Sequence, residues 1–217
     1  MRGSADPIYK ELAIMLEIHA YLAGPDVFFP HAHEIGRQKI AYLHTLGIVG
    51  HFPLDNEVPG DLVKIPAQAI RFIGNANEKM MLDCCLDGRI GLILANMSPF
   101  HGPSMDVGTA FEVGFMSGLS YKKNVIIIGY TPDQRNFEER VVEEIYGGWS
   151  NITHKNGIPH GPDGTMIEAF GGADNLMITN AIVRTGGDIL RTFEDAADFG
   201  AAAAKRLLAQ PHRLTPN

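Results

Sequence analysis

Two short, unbroken apolar runs, "IGLILAN" ending at Asn96 and "NVIIIGY" ending at Tyr130, interrupt a chain that otherwise mixes apolar and polar positions. Such runs predict strands covered on both faces, because a strand open to water on one side alternates instead. "EIHAYLAG" predicts an earlier strand that ends near Gly24-Pro25, and "IVGHFPL" a second one closed by Pro53. Between these two, Ile40, Leu43 and Leu46 recur at helical spacing until Gly47 stops the pattern. Further helices are predicted over 66–87, with Pro66 in the first turn, over 109–120, and through "NFEERVVEEIYGG". Parts of 176–199, "AAAAKRLLA" and a short stretch over 8–18 also read as helical.

Strand and helix thus alternate through four strands, which predicts a single α/β domain, a sandwich around a mostly parallel sheet. The expected boundaries are an N-terminal extension over 1–19 and a domain over 20–210, with a polar, glycine-rich insertion at about 147–165. Ligands of such sheets bind beyond the C-terminal strand ends. Gly24-Pro25, Asn96 and the 97–108 loop fall there.

Composition narrows the function classes. A length of 217 residues with 45% apolar content suits one globular domain. The formal net charge of −7, with no run of Lys and Arg longer than two, gives no basis for holding a nucleic-acid backbone. Cys84 and Cys85 are adjacent, which suits neither a disulfide nor a zinc site, and they predict buried thiols in a reducing compartment. No signal peptide and no apolar stretch of about 18 residues or more is present, so a cytoplasmic protein that does not enter membranes is expected.

The chemistry centres on "GPSMDVGTAFEVGFMSG", residues 102–118. Glu112 lies between Phe111 and Val113, and the next turn of its face carries Phe115 and Met116, so this carboxylate points into the protein or a cleft. Gly108 and Gly114 leave room for a ligand or another backbone. Asp106 precedes the helix, as a cap or as a ligand group. Asp83, among Met80, Met81, Leu82, Cys84 and Cys85, is a second candidate carboxylate. Carboxylates converging at strand ends suit glycosidic chemistry, with one as nucleophile and another handling the leaving-group proton. They suit magnesium and phosphate equally. There is no dinucleotide fingerprint, phosphate loop, serine elbow or HExxH, and loop histidines His31 and His33 make a poor metal site.

"YLAGPDVFFP", "FPLDNE", "LILANMSPFHGPSMDVGTAFEVGFMSGL" and "FGGADNLMI", in this order, resemble the nucleoside 2-deoxyribosyltransferase family from about residue 20 to 180. The resemblance implies a flavodoxin-like sandwich that moves a 2-deoxyribosyl group between nucleobases without a metal or organic cofactor. Glu112 matches the family nucleophile, which forms a covalent glycosyl ester with overall retention. Asp106 matches the residue that binds sugar hydroxyls, and Tyr21 the tyrosine that positions the nucleophile. Asp83 matches, by its spacing before the third strand, the carrier of the base proton. Asn175 matches an asparagine given to a neighbouring subunit, implying a homo-oligomer with shared sites. Gly24, Gly108, Phe28 and Phe100 are further expected substrate contacts, with Phe29 and Met105 as candidate lining. The expected partners are a deoxynucleoside and a free base. Where the family has aspartate at the start of the third strand, this chain has Gly91. An N-glycosidase that releases the sugar to water, or a nucleotide-binding module without catalysis, are the competing readings.

Overall fold

The computed structural model describes residues 16–56 and 59–209. Its elements run β1 (Glu17–Ala23), α1 (Ala32–Thr45), β2 (Ile48–His51), α2 (Pro66–Cys84), β3 (Arg89–Asn96), α3 (Val107–Leu119) and β4 (Val125–Tyr130). There follow α4 (Phe137–Glu144), a small antiparallel hairpin of β5 (Thr153–Lys155) and β6 (Ile158–His160), α5 (Leu176–Arg184), β7 (Ile189–Leu190) and α6 (Phe193–Leu208). The main sheet has the order β2-β1-β3-β4-β7 and every neighbouring pair is parallel. This is the flavodoxin-like order, with its switch point between β1 and β3.

The strand alternation sorts the core into two layers. Ile18, Ala20, Leu22, Leu92, Leu94, Ile126 and Ile128 face α1 and α6, where Leu43, Ala196, Ala197, Ala201 and Ala204 cover them. Tyr21, Ala23, Ile93, Ala95 and Ile127 face α2, α3 and α5, against Met81, Cys84, Val113, Met116 and Ile182. Both faces are therefore apolar along each central strand, which is why β3 and β4 read as unbroken runs.

Several expectations shift. The helix over 8–18 lies outside the described residues except at its end, where Glu17 and Ile18 open β1. A fifth parallel strand, β7, interrupts the region read as helical over 176–199; two residues between polar neighbours carry too little pattern to be seen in sequence. The 147–165 insertion contains the hairpin, anchored where Gly161 lies against the Tyr146 ring, a contact that a Cβ would reduce to 2.4 Å. Gly91 replaces the expected aspartate because the turn after α2 packs onto it: a Cβ there would stand 2.6 Å from Cys85 Sγ and 3.1 Å from the Cys84 carbonyl oxygen. Among the described residues no helix is long and apolar enough to cross a membrane.

Candidate active site

The C-terminal ends of β1 and β3 form the floor of the site. Gly24, at φ 153°, closes β1 onto β3 so tightly that a Cβ would lie 2.6 Å from that of Asn96. Beyond it, Asp26 is buried and bonded on both sides. Lys39 Nζ donates to Asp26 Oδ2 at 2.7 Å and to the Tyr130 hydroxyl at 2.7 Å, and Asn96 Nδ2 donates to Asp26 Oδ1 at 3.2 Å. Asn96 Oδ1 in turn accepts from the Ser98 amide and hydroxyl. This paired, hydrogen-bonded network makes an otherwise costly buried charge tolerable and fixes the rim of the site.

Glu112 is carried to the floor by α3, which starts at the Asp106 cap. Asp106 Oδ2 accepts from the Thr109 amide at 2.9 Å and from its hydroxyl at 3.1 Å, so the capping role is present. Both bonds fall on one oxygen. Tyr21 is fully buried, and its hydroxyl donates to Glu112 Oε1 at 2.5 Å. Burial pushes the Glu112 carboxyl up to about 7; the Tyr21 hydrogen bond opposes that rise and the Asp106 charge adds to it. Burial, and then the Glu112 charge, push the Tyr21 phenol upward, so it stays a donor. The arrangement holds a carboxylate half-desolvated, oriented by a hydroxyl and poised between its two ionisation states near neutrality. That is the environment of a nucleophile or acid–base group. Tyr21→Phe removes the stabilising donor, so the acid limb of the activity profile is expected to move to higher pH. At pH 6.5, kcat should fall by about tenfold or more, the worth of one hydrogen bond to a charged group. An unchanged pH–rate profile would show that the hydroxyl does not act on the carboxylate.

Asp83 does not join this pair. It sits at the end of α2 beside the start of β3, where Arg89 donates to its backbone carbonyl and Lys79 Nζ meets its Oδ2 at 2.5 Å. The carbonyl of the next residue, Cys84, lies against Gly91, which is in register with His19, two residues before Tyr21 on β1. The Asp83 carboxylate is paired with the exposed Lys79, and among the described residues it makes no hydrogen bond to Tyr21 or Glu112. Residues 85–88 connect α2 to β3.

Phe28 and Phe100 meet at the rim, stacked at 5.6 Å, with His101 stacked on Phe100 at 4.0 Å. Phe28 remains 65% exposed, so the pair offers a flat aromatic face at the mouth. Gly108 is in the first turn of α3, where a Cβ would come 3.0 Å from Asp106 Oδ2. Asn175 caps α5, accepting from the Met177 amide at 3.0 Å and donating to Glu168 at 2.7 Å. It is exposed and makes no bond to Glu112 of its own chain.

Two residues that sequence reading passed over hold these pieces together. Arg140, fully buried on α4, donates to the carbonyls of Pro103, Arg135 and Ala173, and its Nη2 lies 3.5 Å from Asp174 Oδ2. Asp174 accepts from the Met105 amide and the Asn175 amide, both at 2.8 Å. The loop that leads to Asp106 is thereby tied to the segment that presents Asn175. In "NFEERVVEE" nothing distinguishes this arginine from a solvated one; only the apolar Val141 and Val142 beside it hint that the helix has a buried side. Among the described residues, no group of three or more His, Cys, Asp or Glu is placed to hold a metal.

Comparison with known proteins accords with this geometry. Residues 20–177 match the family described as nucleoside 2-deoxyribosyltransferase. A 2-desoxiribosyltransferase from Leishmania mexicana shares the fold with a TM-score of 0.58 and 27% identity, over 85% of this chain and 97% of that one. An uncharacterized protein of Schizosaccharomyces pombe is 28% identical over 193 residues, 86% of this chain and 84% of its own length. With the parallel sheet, the Tyr21–Glu112 pair and the match over 20–177 taken together, the chain belongs to the nucleoside 2-deoxyribosyltransferase family.

Proposed function

We propose that this transferase, which acts on 2-deoxyribonucleosides, exchanges their bases through a covalent ester on Glu112. The observation that supports the reading most directly is the Tyr21–Glu112 contact at the switch point of the sheet, with the carboxyl raised to about 7. Ionised Glu112 attacks the anomeric carbon of the bound nucleoside. The C1′–N bond breaks, its electron pair passes to the base, and the base takes up a proton. The second base then attacks the same carbon with a ring nitrogen, loses its proton, and displaces Glu112 as a free carboxylate. Each displacement inverts, so the two together retain configuration. Positive charge that builds on the sugar is met by Glu112 and by the neighbouring Asp106, whose uncapped oxygen is the group proposed to hold a sugar hydroxyl. Gly24 and Gly108 give backbone access, and Phe28 with Phe100 supplies the apolar surface for the base.

The working unit in this proposal is a homo-oligomer with Asn175 offered to a neighbour's site. What supports it is an uncovered apolar face beside that residue. Val107 is 85% exposed and Phe111 55% on α3, and Leu176, Met177 and Val183 are exposed on the adjoining α5. Exposed apolar side chains on two adjoining helices support an interface there.

Chromatography of a reaction with thymidine, free adenine and the protein tests the activity. Deoxyadenosine together with thymine is the expected result. Thymine with free deoxyribose at a rate independent of adenine would replace transfer by hydrolysis. With deoxyinosine as an alternative donor, a failure of both reactions would leave only a binding role.

A further inference from the structure

Asn77 lies on the inward side of α2, one helical turn before Met81, which is fully buried against the layer that contains Tyr21. Its height above the sheet floor follows from the packing of the helix end. The Cys84 carbonyl rests on Gly91 in β3. From Cys84 back to Asn77 the helix climbs about 10 Å, and from Gly91 to Leu94 the strand advances about the same distance. Asn77 therefore stands level with the last residues of β3, before Asn96, on the face that carries Ile93 and Ala95. This is the end of the sheet where Gly24 and the Tyr21–Glu112 pair lie. Asp83, six residues further along, is about 9 Å lower.

The Asn77 amide oxygen is sealed from solvent and accepts no hydrogen bond. A buried acceptor left without a donor costs about 1–3 kcal/mol, and native proteins keep few of them. By this reckoning the orphan stands at about the level of the Tyr21–Glu112 pair, on the side of α2 turned toward the sheet. A ligand donor that enters with the substrate explains it.

We propose that Asn77 orients the nucleobase and selects bases in which an exocyclic amino group adjoins an unprotonated ring nitrogen, as in adenine and cytosine; this rests on the deoxyribosyl-transfer reading above. A carboxamide carries one acceptor and a donor side by side. The acceptor takes an amino hydrogen and the donor reaches the ring nitrogen, the pairing by which asparagine reads adenine elsewhere. Hypoxanthine, with a carbonyl in place of the amino group, leaves the orphan oxygen unmet. An amide has no proton to give, so the ring nitrogen that receives the C1′–N electron pair is protonated from solvent and Asn77 acts by position and selection alone.

Affinities of free adenine and free hypoxanthine, measured by calorimetry, and transfer rates between each base and its deoxynucleoside, should be compared in the wild type, Asn77→Leu and Asn77→Asp. In the wild type adenine should bind and react better than hypoxanthine. Asn77→Leu should weaken adenine binding by about tenfold or more, hypoxanthine binding much less, and flatten the transfer preference in parallel. Asn77→Asp keeps the acceptor and adds a titrating group, so its adenine affinity should gain a titration step beyond any that Glu112 gives the wild type. A wild-type preference for hypoxanthine, or an adenine-to-hypoxanthine ratio identical in all three proteins, would overturn the assignment. If no protein transfers deoxyribose but the adenine affinity still falls in Asn77→Leu, the transfer reading fails and Asn77 keeps its role. If transfer proceeds with unaltered base ratios, the transfer reading survives and Asn77 loses its role.

Discussion

Glu112→Gln is expected to abolish transfer and at the same time to stabilise the protein above neutral pH. The loss follows from removing the proposed nucleophile, and a drop in kcat of about 10⁴-fold or more is the usual scale. The gain follows from linkage. The carboxyl titrates near 7 in the fold against an ordinary value of 4.5, so the unfolded chain releases this proton first. Between those values the folded state holds more protons, and stability falls as pH rises through the window and levels off above it. The full displacement corresponds to about 3 kcal/mol, and less is expected because the side chain keeps some contact with water. Glutamine removes the titration yet still accepts the Tyr21 hydroxyl. Thermal unfolding should therefore show a midpoint raised by about 5 °C at pH 8 and little change at pH 4.5. Equal gains at both pH values would mean that the carboxyl is not raised. Stabilised but inactive protein would identify Glu112 as a residue held in place at a cost to the fold.

Arg140→Met should give the largest loss of stability. The guanidinium is wholly enclosed and meets three backbone carbonyls as well as the buried carboxylate of Asp174. Methionine fills much of the same volume but leaves all of these groups without their donor. Breaking a buried pair in this way costs about 3–5 kcal/mol, a large part of the stability of a single domain. Arg140→Lys should recover less than half of it, because one ammonium cannot serve carbonyls that lie in several directions. Urea unfolding of the three proteins measures this directly, and a midpoint for Arg140→Met close to the wild type would show that the arginine is no clamp. Where folded protein is recovered, transfer should also be slow, since Pro103 and Met105 lead into the Asp106 cap.

The parts legible in the sequence were those in which one physical demand dominates. β3 and β4 had to be apolar throughout because helices cover both faces, and a carboxylate between Phe111 and Val113 had to be a site or a pair. Its partner, Tyr21, came from the family resemblance rather than from any local signal, because contact across 91 residues leaves no spacing to read. The helix before β3 was placed correctly, from Pro66 to the turn that follows Cys84. Arg140 and Asp174 stayed hidden for a different reason. A buried ion pair looks, in sequence, like any two surface charges until the third dimension closes around it.

The layer on the far side of the sheet has its own consequence for how the protein tolerates change. Along α6 the surface against the strands is made of Ala196, Ala197, Gly200, Ala201 and Ala204, and a Cβ at Gly200 would approach Leu92 and Ile128 at 3.1 and 3.2 Å. Those two residues belong to the strands whose opposite faces carry Ile93 and Ile127, in the layer with Tyr21. Bulk added behind the sheet has nowhere to expand but through it. Natural variation on that remote helix is therefore bounded by the geometry of a reaction it never touches, and its run of small residues is a thickness gauge for the active site rather than a sign of helical propensity alone.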